Sequence, residues 1–190
     1  SPDIMLLDGW TGDRRSLPGP GRDLYVVRWS QDGALLAAGS GGGEVVLWRD
    51  LGSTPTVLGG HGDIVSALDF DRAGARLLSG SFDGTARLWD LGSDSEIRSF
   101  EGHDGPITSI AWSPSEDRFA TSGADHTVRL WDVGDASPRL TIQAHEGEVT
   151  GLVFLGEGRS LASVGYDGAL RTWDVATGQV VALVDDPKGA

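Results

Sequence analysis

The stretch SFDGTARLWD, residues 81–90, organises the chain, because close variants of it recur at regular intervals. Its Trp89 has counterparts 41 residues before it and 42 and 84 residues after it, at Trp48, Trp131 and Trp173. A histidine precedes each of the last three tryptophans by 28 residues, at His61, His103 and His145. The 190 residues are therefore read as repeats of about 42 residues.

Each repeat contains short runs of alternating apolar and polar residues. In the repeat around Trp89 these runs are IVSALDF, RLLSGS, ARLWD and EIRSF, and the turns DRAGA and FDGT lie among them. Alternation with a period of two, bounded by Gly, Asp and Ser, is typical of β-strands. The pattern predicts four short strands per repeat and an all-β protein.

Three repeats resemble the WD40 family. The segments GGHGDIVSALDF…LLSGSFDGTARLWD, EGHDGPITSIAWSP…FATSGADHTVRLWD and QAHEGEVTGLVF…LASVGYDGALRTWD carry Gly-His or Ala-His near the start and Trp-Asp at the end. The resemblance implies a β-propeller, in which each repeat forms a four-stranded antiparallel blade.

The first repeat departs from this pattern. Arg49 follows Trp48, and Pro20 stands where the histidine is expected, whereas Leu7 and Asp8 align with the Trp-Asp pair. We therefore predict a partial or open WD40-type propeller of about four and a half blades, one segment over residues 1–190. Its predicted divisions are 1–20 for the last two strands of a preceding blade, 21–59 for a degenerate blade 1, 60–101 for blade 2, 102–143 for blade 3, 144–186 for blade 4 and 187–190 for a tail.

The missing blades are expected in residues outside this sequence or in another chain, because an open propeller exposes strand edges and apolar faces. Ser1, in place of an initiating methionine, suggests processing or excision from a longer chain.

Charge and composition exclude several partners. The 28 acidic residues outnumber the 15 basic ones, and the net charge of −13 repels nucleic acid and anionic membranes. With no cysteine, the chain has neither disulfides nor a thiolate metal site. No apolar run is long enough to span a bilayer.

The recurring histidines and aspartates suggest two interpretations, a metal or acid–base site and a structural network. In a propeller, equivalent residues of different blades are far apart, whereas metal ligands must converge on one ion. The resemblance implies a hydrogen-bonded chain inside each blade, and we expect no metal and no cofactor. The residues of these chains are His61, Ser79, Asp83 and Trp89, then His103, Thr121, Asp125 and Trp131, then His145, Ser163, Asp167 and Trp173.

Partner binding is expected where loops gather at one end of the blades, since the family commonly docks proteins there. The candidates carried over by position are Asp23, Tyr25, Ile64, Ser66, Phe82, Pro106, Thr108, Ala124, Glu148, Thr150 and Tyr166. Tyr25, Phe82 and Tyr166 are the most informative, because exposed aromatic residues are enriched at binding hot spots. The alternative is that each ring packs on its own blade.

No sequence motif of a hydrolase nucleophile or a zinc protease is present, so we predict a protein without enzyme activity. The favoured function is a protein–protein interaction scaffold or sensor module, cytoplasmic and part of a larger signalling or regulatory protein. The alternative is a propeller that binds, or hydrolyses, a small molecule in its central channel. The inner strands offer mostly Ser, Thr and Asp69 for that purpose.

Overall fold

The all-β prediction is confirmed. A computed structural model describes residues 4–7, 11–17, 19, 21–115 and 117–185 of the chain. These residues form a two-stranded hairpin followed by four antiparallel sheets of four strands each. Their helical content is one 3-10 turn at Gly156–Gly158.

The strands follow one another in chain order, and neighbours in each sheet are antiparallel. The hairpin consists of β1 (Ile4–Leu7) and β2 (Arg14–Leu17); blade 1 of β3 (Leu24–Trp29), β4 (Leu36–Ser40), β5 (Glu44–Trp48) and β6 (Thr56–Gly60); blade 2 of β7 (Val65–Phe70), β8 (Arg76–Ser81), β9 (Ala86–Asp90) and β10 (Ser95–Phe100); blade 3 of β11 (Ile107–Trp112), β12 (Arg118–Gly123), β13 (Thr127–Asp132) and β14 (Leu140–Gln143); and blade 4 of β15 (Val149–Leu155), β16 (Ser160–Gly165), β17 (Ala169–Asp174) and β18 (Val180–Asp185).

The turn between the second and third strands of each blade requires a left-handed residue. Gly84 and Gly168 take this conformation with φ of 82° and 76°, which glycine adopts at little steric cost. In blade 3, His126 has φ of 67° at the corresponding position. The turns reverse the chain tightly and bring Asp83, Asp125 and Asp167 to the same end of their blades.

The core lies between blades and consists of one apolar cluster at each boundary. Between blades 1 and 2, for example, Val45 and Leu47 pack with Leu77 and Trp89. Corresponding clusters join blade 2 to blade 3 and blade 3 to blade 4. The first strands β3, β7, β11 and β15 contact one another in sequence along the inner side. Each blade is thus stabilised mainly by burying its faces on its neighbours.

The two ends of the described arc differ. At the first end, Leu17 of the hairpin is buried against Leu36 and Trp48 of blade 1. At the other end, the outer face of blade 4 exposes Leu170 and Val184, by 39% and 62%. The predicted partial, open propeller is confirmed.

The predicted divisions of the chain remain predictions, although the four sheets and the hairpin fall within them apart from Gly60, the last residue of β6. Pro20 and the predicted tail, 187–190, lie outside the described residues.

Candidate functional site

A continuous hydrogen-bonded chain crosses the interior of blade 2. The Trp89 indole donates from Nε1 to the Ser79 hydroxyl at 2.8 Å, and this hydroxyl lies 2.7 Å from His61 Nε2. On the other side of the ring, His61 Nδ1 lies 3.2 Å from Asp83 Oδ2. The same carboxylate oxygen accepts the Gly62 backbone N–H at 2.8 Å. The chain therefore runs from an indole donor to a carboxylate acceptor through one neutral imidazole.

Blade 3 repeats this arrangement with threonine in place of serine. Trp131 Nε1 donates to Thr121 Oγ1 at 2.9 Å, and His103 Nε2 lies 2.7 Å from the same oxygen. His103 Nδ1 is 2.9 Å from Asp125, which also accepts the Asp104 backbone N–H at 3.1 Å. The two hydrogen-bonded chains thus differ only in the residue that carries the hydroxyl, Ser79 in blade 2 and Thr121 in blade 3.

Blade 4 contains the third chain. Trp173 Nε1 donates to Ser163 at 2.9 Å, His145 Nε2 lies 2.8 Å from Ser163, and His145 Nδ1 lies 2.8 Å from Asp167. Arg171 adds an ion pair to this carboxylate at 2.6 Å. The structure therefore brings together all four predicted residues of each set.

The environment favours the ionised form of the terminal carboxylates. Burial works against ionisation of Asp125, but hydrogen bonds from His103 and Thr127 outweigh it and hold the pKa of Asp125 well below its usual range. The pKa of Asp167 is low for the same reason, with Arg171 as a further donor. Burial opposes ionisation of Asp83 as well, and hydrogen bonds again lower its pKa. All three carboxylates are therefore acceptors at neutral pH.

The histidine of blade 2 is held in its neutral form. Burial lowers the pKa of His61 below its ordinary value, although the charge of Asp83 acts in the opposite direction. A neutral imidazole accepts at one nitrogen and donates at the other, which is the state that the chain from Ser79 to Asp83 requires.

Sequence reasoning missed a second hydroxyl at the carboxylate end. Thr85 Oγ1 donates to Asp83 at 2.7 Å, and Thr127 Oγ1 donates to Asp125 at 2.8 Å. The spacing Asp-x-Thr, shared by both turns, was the available signal, since aspartate in a turn commonly binds groups two residues on. Ala169 occupies this position in blade 4.

Blade 1 has a different polar group at the same turn. Ala38 and Gly42 stand at the positions of Ser79 and Asp83. Here the Ser40 hydroxyl accepts the Glu44 backbone N–H at 3.0 Å, and the Glu44 carboxylate pairs with Arg22 at 2.8 Å. The degenerate first repeat thus fixes its turn with an ion pair close to the surface.

These sites offer little for a reaction. Both ring nitrogens of His61, His103 and His145 are engaged within their own blades. Among the described residues, no group of three or more His, Asp or Glu side chains is arranged to hold a metal ion. The described part of the chain also contains no helix long and apolar enough to cross a membrane.

A common backbone hydrogen bond defines one rim of the arc, called the turn rim below. The N–H groups of Gly41, Phe82, Ala124 and Tyr166 each donate at 2.9 Å to the carbonyl at the start of the first strand of the same blade. These acceptors are Asp23, Ile64, Pro106 and Glu148. The four turns therefore present equivalent positions on one surface.

The predicted partner-binding residues all lie on or beside the turn rim, but their exposure differs. Tyr166, Tyr25 and Phe82 are exposed by 77%, 61% and 41%. Asp23 and Thr150 are also exposed. The remaining candidates are half-buried: Ile64, Ser66, Pro106, Thr108, Ala124 and Glu148.

Two of the half-buried candidates connect blades. The Ser66 hydroxyl donates to the Ile107 carbonyl, and the Thr108 hydroxyl donates to the Val149 carbonyl, each in the next blade. Thr150 is their counterpart in blade 4, and its hydroxyl lies 3.4 Å from the Val164 carbonyl of its own blade. The Ser66 and Thr108 hydroxyls are thus occupied in packing.

The inner strands border a cavity of about 410 Å³ at the concave side of the arc. Its charged groups are Arg28 and Asp69, which pair with each other at 3.1 Å. Asp69 also accepts the Trp112 backbone N–H at 2.8 Å. Burial raises the pKa of Asp69, against these donors. Both charges of the cavity are therefore committed to contacts between blades.

Four-stranded blades joined in an arc, three of which contain a buried hydrogen-bonded chain from tryptophan to aspartate, define a β-propeller-type repeat protein. Four segments of the chain, 13–49, 52–90, 94–132 and 136–174, match the family described as "WD domain, G-beta repeat". The chain therefore belongs to the WD repeat family, and the predicted resemblance is confirmed.

Curated proteins match the chain over somewhat less than half of its length. The F-box-like/WD repeat-containing protein TBL1X of Mus musculus is 31% identical over 91 residues, which are 48% of this chain and 17% of that protein. Coronin-7 of Homo sapiens is 36% identical over 88 residues, covering 42% of this chain and 10% of its own length. The chromatin assembly factor 1 subunit FAS2 homolog of Oryza sativa subsp. japonica is 33% identical over 100 residues, 48% of this chain and 19% of that protein. The chain thus spans less than a fifth of the length of these relatives.

Proposed function

We propose that the chain is a non-catalytic protein–protein interaction module that receives its partner on the turn rim. The observation that carries this proposal is the contrast between the interior of blades 2, 3 and 4 and the turn rim. The histidines and carboxylates are saturated inside the blades, whereas the aromatic rings of Tyr25, Phe82 and Tyr166 are exposed on one surface. Exposed aromatic side chains contribute strongly to protein interfaces.

The buried chains have a structural role in this proposal. Each one satisfies an indole, a hydroxyl, an imidazole and a carboxylate that would otherwise be costly to bury. Their rigidity fixes the turns, and the turns hold Phe82 and Tyr166 on the rim. The polypeptide then acts as a scaffold or sensor platform within a larger signalling or regulatory protein of the cytoplasm, as expected from the sequence.

The outer face of blade 4 is part of the same proposal. Val164, Leu170 and Val184 are exposed there. Their neighbour, blade 3, has Val128 and Ile142 at the positions that correspond to Leu170 and Val184, and both are buried against blade 4. We expect this face to pack against further blades, from the parent chain or from another chain, because the corresponding face of blades 1, 2 and 3 is covered by the next blade.

A capture experiment tests the module. The chain and the triple variant Tyr25→Ala, Phe82→Ala, Tyr166→Ala are used as baits in extract from the source cell. A matched control replaces three exposed apolar residues on the outer strands, Val57, Ile97 and Val181, with alanine. We expect specific proteins to be retained by the chain and by the control and lost with the rim variant.

Retention of the same proteins by the rim variant would contradict docking at the turn rim. Saturable binding of a metabolite, without any captured protein, would instead support the alternative of a small-molecule propeller.

A further inference from the structure

Three aromatic rings stand at equivalent places on the turn rim although they come from two different sequence positions. Phe82 and Tyr166 occupy the turn position itself. In blade 1 this position is Gly41, and a Cβ atom added there would lie 2.7 Å from Cε2 of Tyr25. The absence of a side chain at Gly41 therefore admits the ring of Tyr25 into the place that the turn residue fills elsewhere. Blades 1, 2 and 4 thus each present one ring.

A carboxylate accompanies each of these rings. Asp23 and Glu148 are the residues whose carbonyls accept the turn N–H groups of Gly41 and Tyr166. Next to Phe82, the corresponding carbonyl belongs to Ile64, and Asp63 directly precedes it. The exposed side chains of Asp104 and Glu146 add negative charge along the same rim. Within the described residues, none of these five carboxylates takes part in a salt bridge.

Positive charge at the turn rim is already neutralised. Arg22 pairs with Glu44 at 2.8 Å, and Arg87 pairs with Glu96 at 2.9 Å. Arg129 and Arg171 pair with Asp125 and Asp167. The sequence has one lysine, Lys188, which lies outside the described residues. The described rim is therefore a surface of aromatic rings surrounded by unpaired carboxylates.

From this combination we infer that the turn rim selects a basic protein segment, one that carries arginine or lysine side chains. This inference rests on the proposed function, and it identifies the chemistry of the partner. A guanidinium group can stack on an exposed ring while it pairs with the neighbouring carboxylate. The negative charge of the rim accelerates the approach of a basic segment and repels an acidic one.

Peptide binding to the 190-residue chain tests the inference. The probes are fluorescein-labelled peptides of alternating Arg and Ser, with Lys–Ser and Glu–Ser peptides of the same length for comparison. Fluorescence anisotropy should show that the two basic peptides bind and that their Kd rises at least about tenfold between roughly 0.05 M and 0.3 M salt. The Glu–Ser peptide should not bind.

Variants locate the site. Phe82→Ala and Tyr166→Ala should each weaken Arg–Ser binding about two- to fivefold, because one cation–π contact at an exposed site is lost. Tyr166→Phe keeps the ring and should retain the affinity. The double variant Asp23→Asn, Glu148→Gln should weaken binding further, whereas Asp50→Asn, Asp135→Asn removes the same charge from loops at the opposite rim and should leave the Kd unchanged.

Two results would overturn the inference. One is equal or tighter binding of the Glu–Ser peptide; the other is basic-peptide binding that is absent or is insensitive to the rim variants. If proteins are still captured through Tyr25, Phe82 and Tyr166 in that case, the interaction module stands and only its preference for basic segments is wrong.

Discussion

At the scale of single residues, the carboxylate at the end of each buried hydrogen-bonded chain is the partner that the histidine ring needs. Replacing Asp83 by alanine leaves His61 Nδ1 without its carboxylate partner and removes the acceptor of Thr85 and Gly62. We expect Asp83→Ala to lower the free energy of unfolding by about 1–3 kcal/mol, the usual effect of leaving a buried polar group unsatisfied. Urea denaturation followed by tryptophan fluorescence measures the change.

The matched control for this variant is Glu101→Ala. The side chain of Glu101 is exposed and makes no hydrogen bond or ion pair to the described residues. Its replacement should change the stability by less than about 0.5 kcal/mol. Equal stability of Asp83→Ala and Glu101→Ala would refute a stabilising role of the buried hydrogen-bonded chain.

The same carboxylates make the stability depend on acidity. The pKa values of Asp83, Asp125 and Asp167 are lower in the folded chain than the ordinary value of 3.8, so the unfolded chain binds protons more readily. Their stabilisation is complete above about pH 5, roughly one unit above that value, and is lost progressively as the pH falls toward the lower pKa of the folded chain. The urea midpoint should therefore drop steeply between pH 5 and pH 3.

Asp125→Asn isolates one contribution to this drop. The variant should be less stable than the parent at pH 7 but should lose less stability between pH 5 and pH 3. Asp135→Asn, a change at an exposed loop, should follow the parent at both pH values. If Asp125→Asn loses stability as steeply as the parent, Asp125 does not carry the effect.

The residues of the buried hydrogen-bonded chains could be predicted from the sequence, and Thr85 and Thr127 left a signal there, but the arginine partners of the carboxylates could not be predicted. His61, Ser79, Asp83 and Trp89 recur at fixed spacing, so the repeat itself groups them. Arg171 approaches Asp167, whereas its counterpart Arg87 pairs with Glu96 instead. Which nearby carboxylate a long side chain pairs with depends on local geometry. The spacing of the repeat carries no information about that geometry.

At the scale of the elements, arginine side chains connect neighbouring blades. Arg49, the residue that replaces aspartate after Trp48, reaches from blade 1 to the Leu91 carbonyl at 2.5 Å and to the Asp94 carboxylate in blade 2. The departure from the repeat that marked blade 1 as degenerate thus supplies a contact to its neighbour.

Arg49→Gln should loosen blade 1. Removing the contacts should raise the opening equilibrium of β5 and β6 about fivefold, equivalent to about 1 kcal/mol after allowance for solvent screening at this exposed pair. Hydrogen exchange followed by mass spectrometry measures this, with blade 3 as internal reference. Arg72→Gln replaces an exposed arginine of blade 2 that makes no hydrogen bond or ion pair to the described residues, and it is the matched control. Equal exchange in β5 and β6 for parent and Arg49→Gln would exclude the connection.

At the scale of the whole molecule, the open face of blade 4 should control association. We expect the isolated chain to form oligomers through Val164, Leu170 and Val184, because exposed apolar faces of this kind promote contact between molecules. Leu170→Glu should lower the mass measured by light scattering, whereas Ile97→Glu, on an outer strand, should not. A stable monomer of the unmodified chain would argue against an exposed docking face.

The sequence predicted the number of blades, the hairpin and the open arc because all of them follow from one period of about 42 residues. It did not predict the contacts between blades made by Arg49 and Asp69. Those contacts join residues from different repeats, and their partners include a carbonyl and a backbone N–H that any residue provides. A pattern of side-chain types holds no information about such partners.

Asp69 has a mechanical consequence for the arc. Its two carboxylate oxygens bind in opposite directions, one to Arg28 of blade 1 and the other to the Trp112 N–H of blade 3. Blade 2 therefore cannot tilt away from either neighbour at this end without breaking one of these bonds. A single carboxylate thus links the first three blades, and a displacement of blade 1 or blade 3 strains a bond of the same side chain.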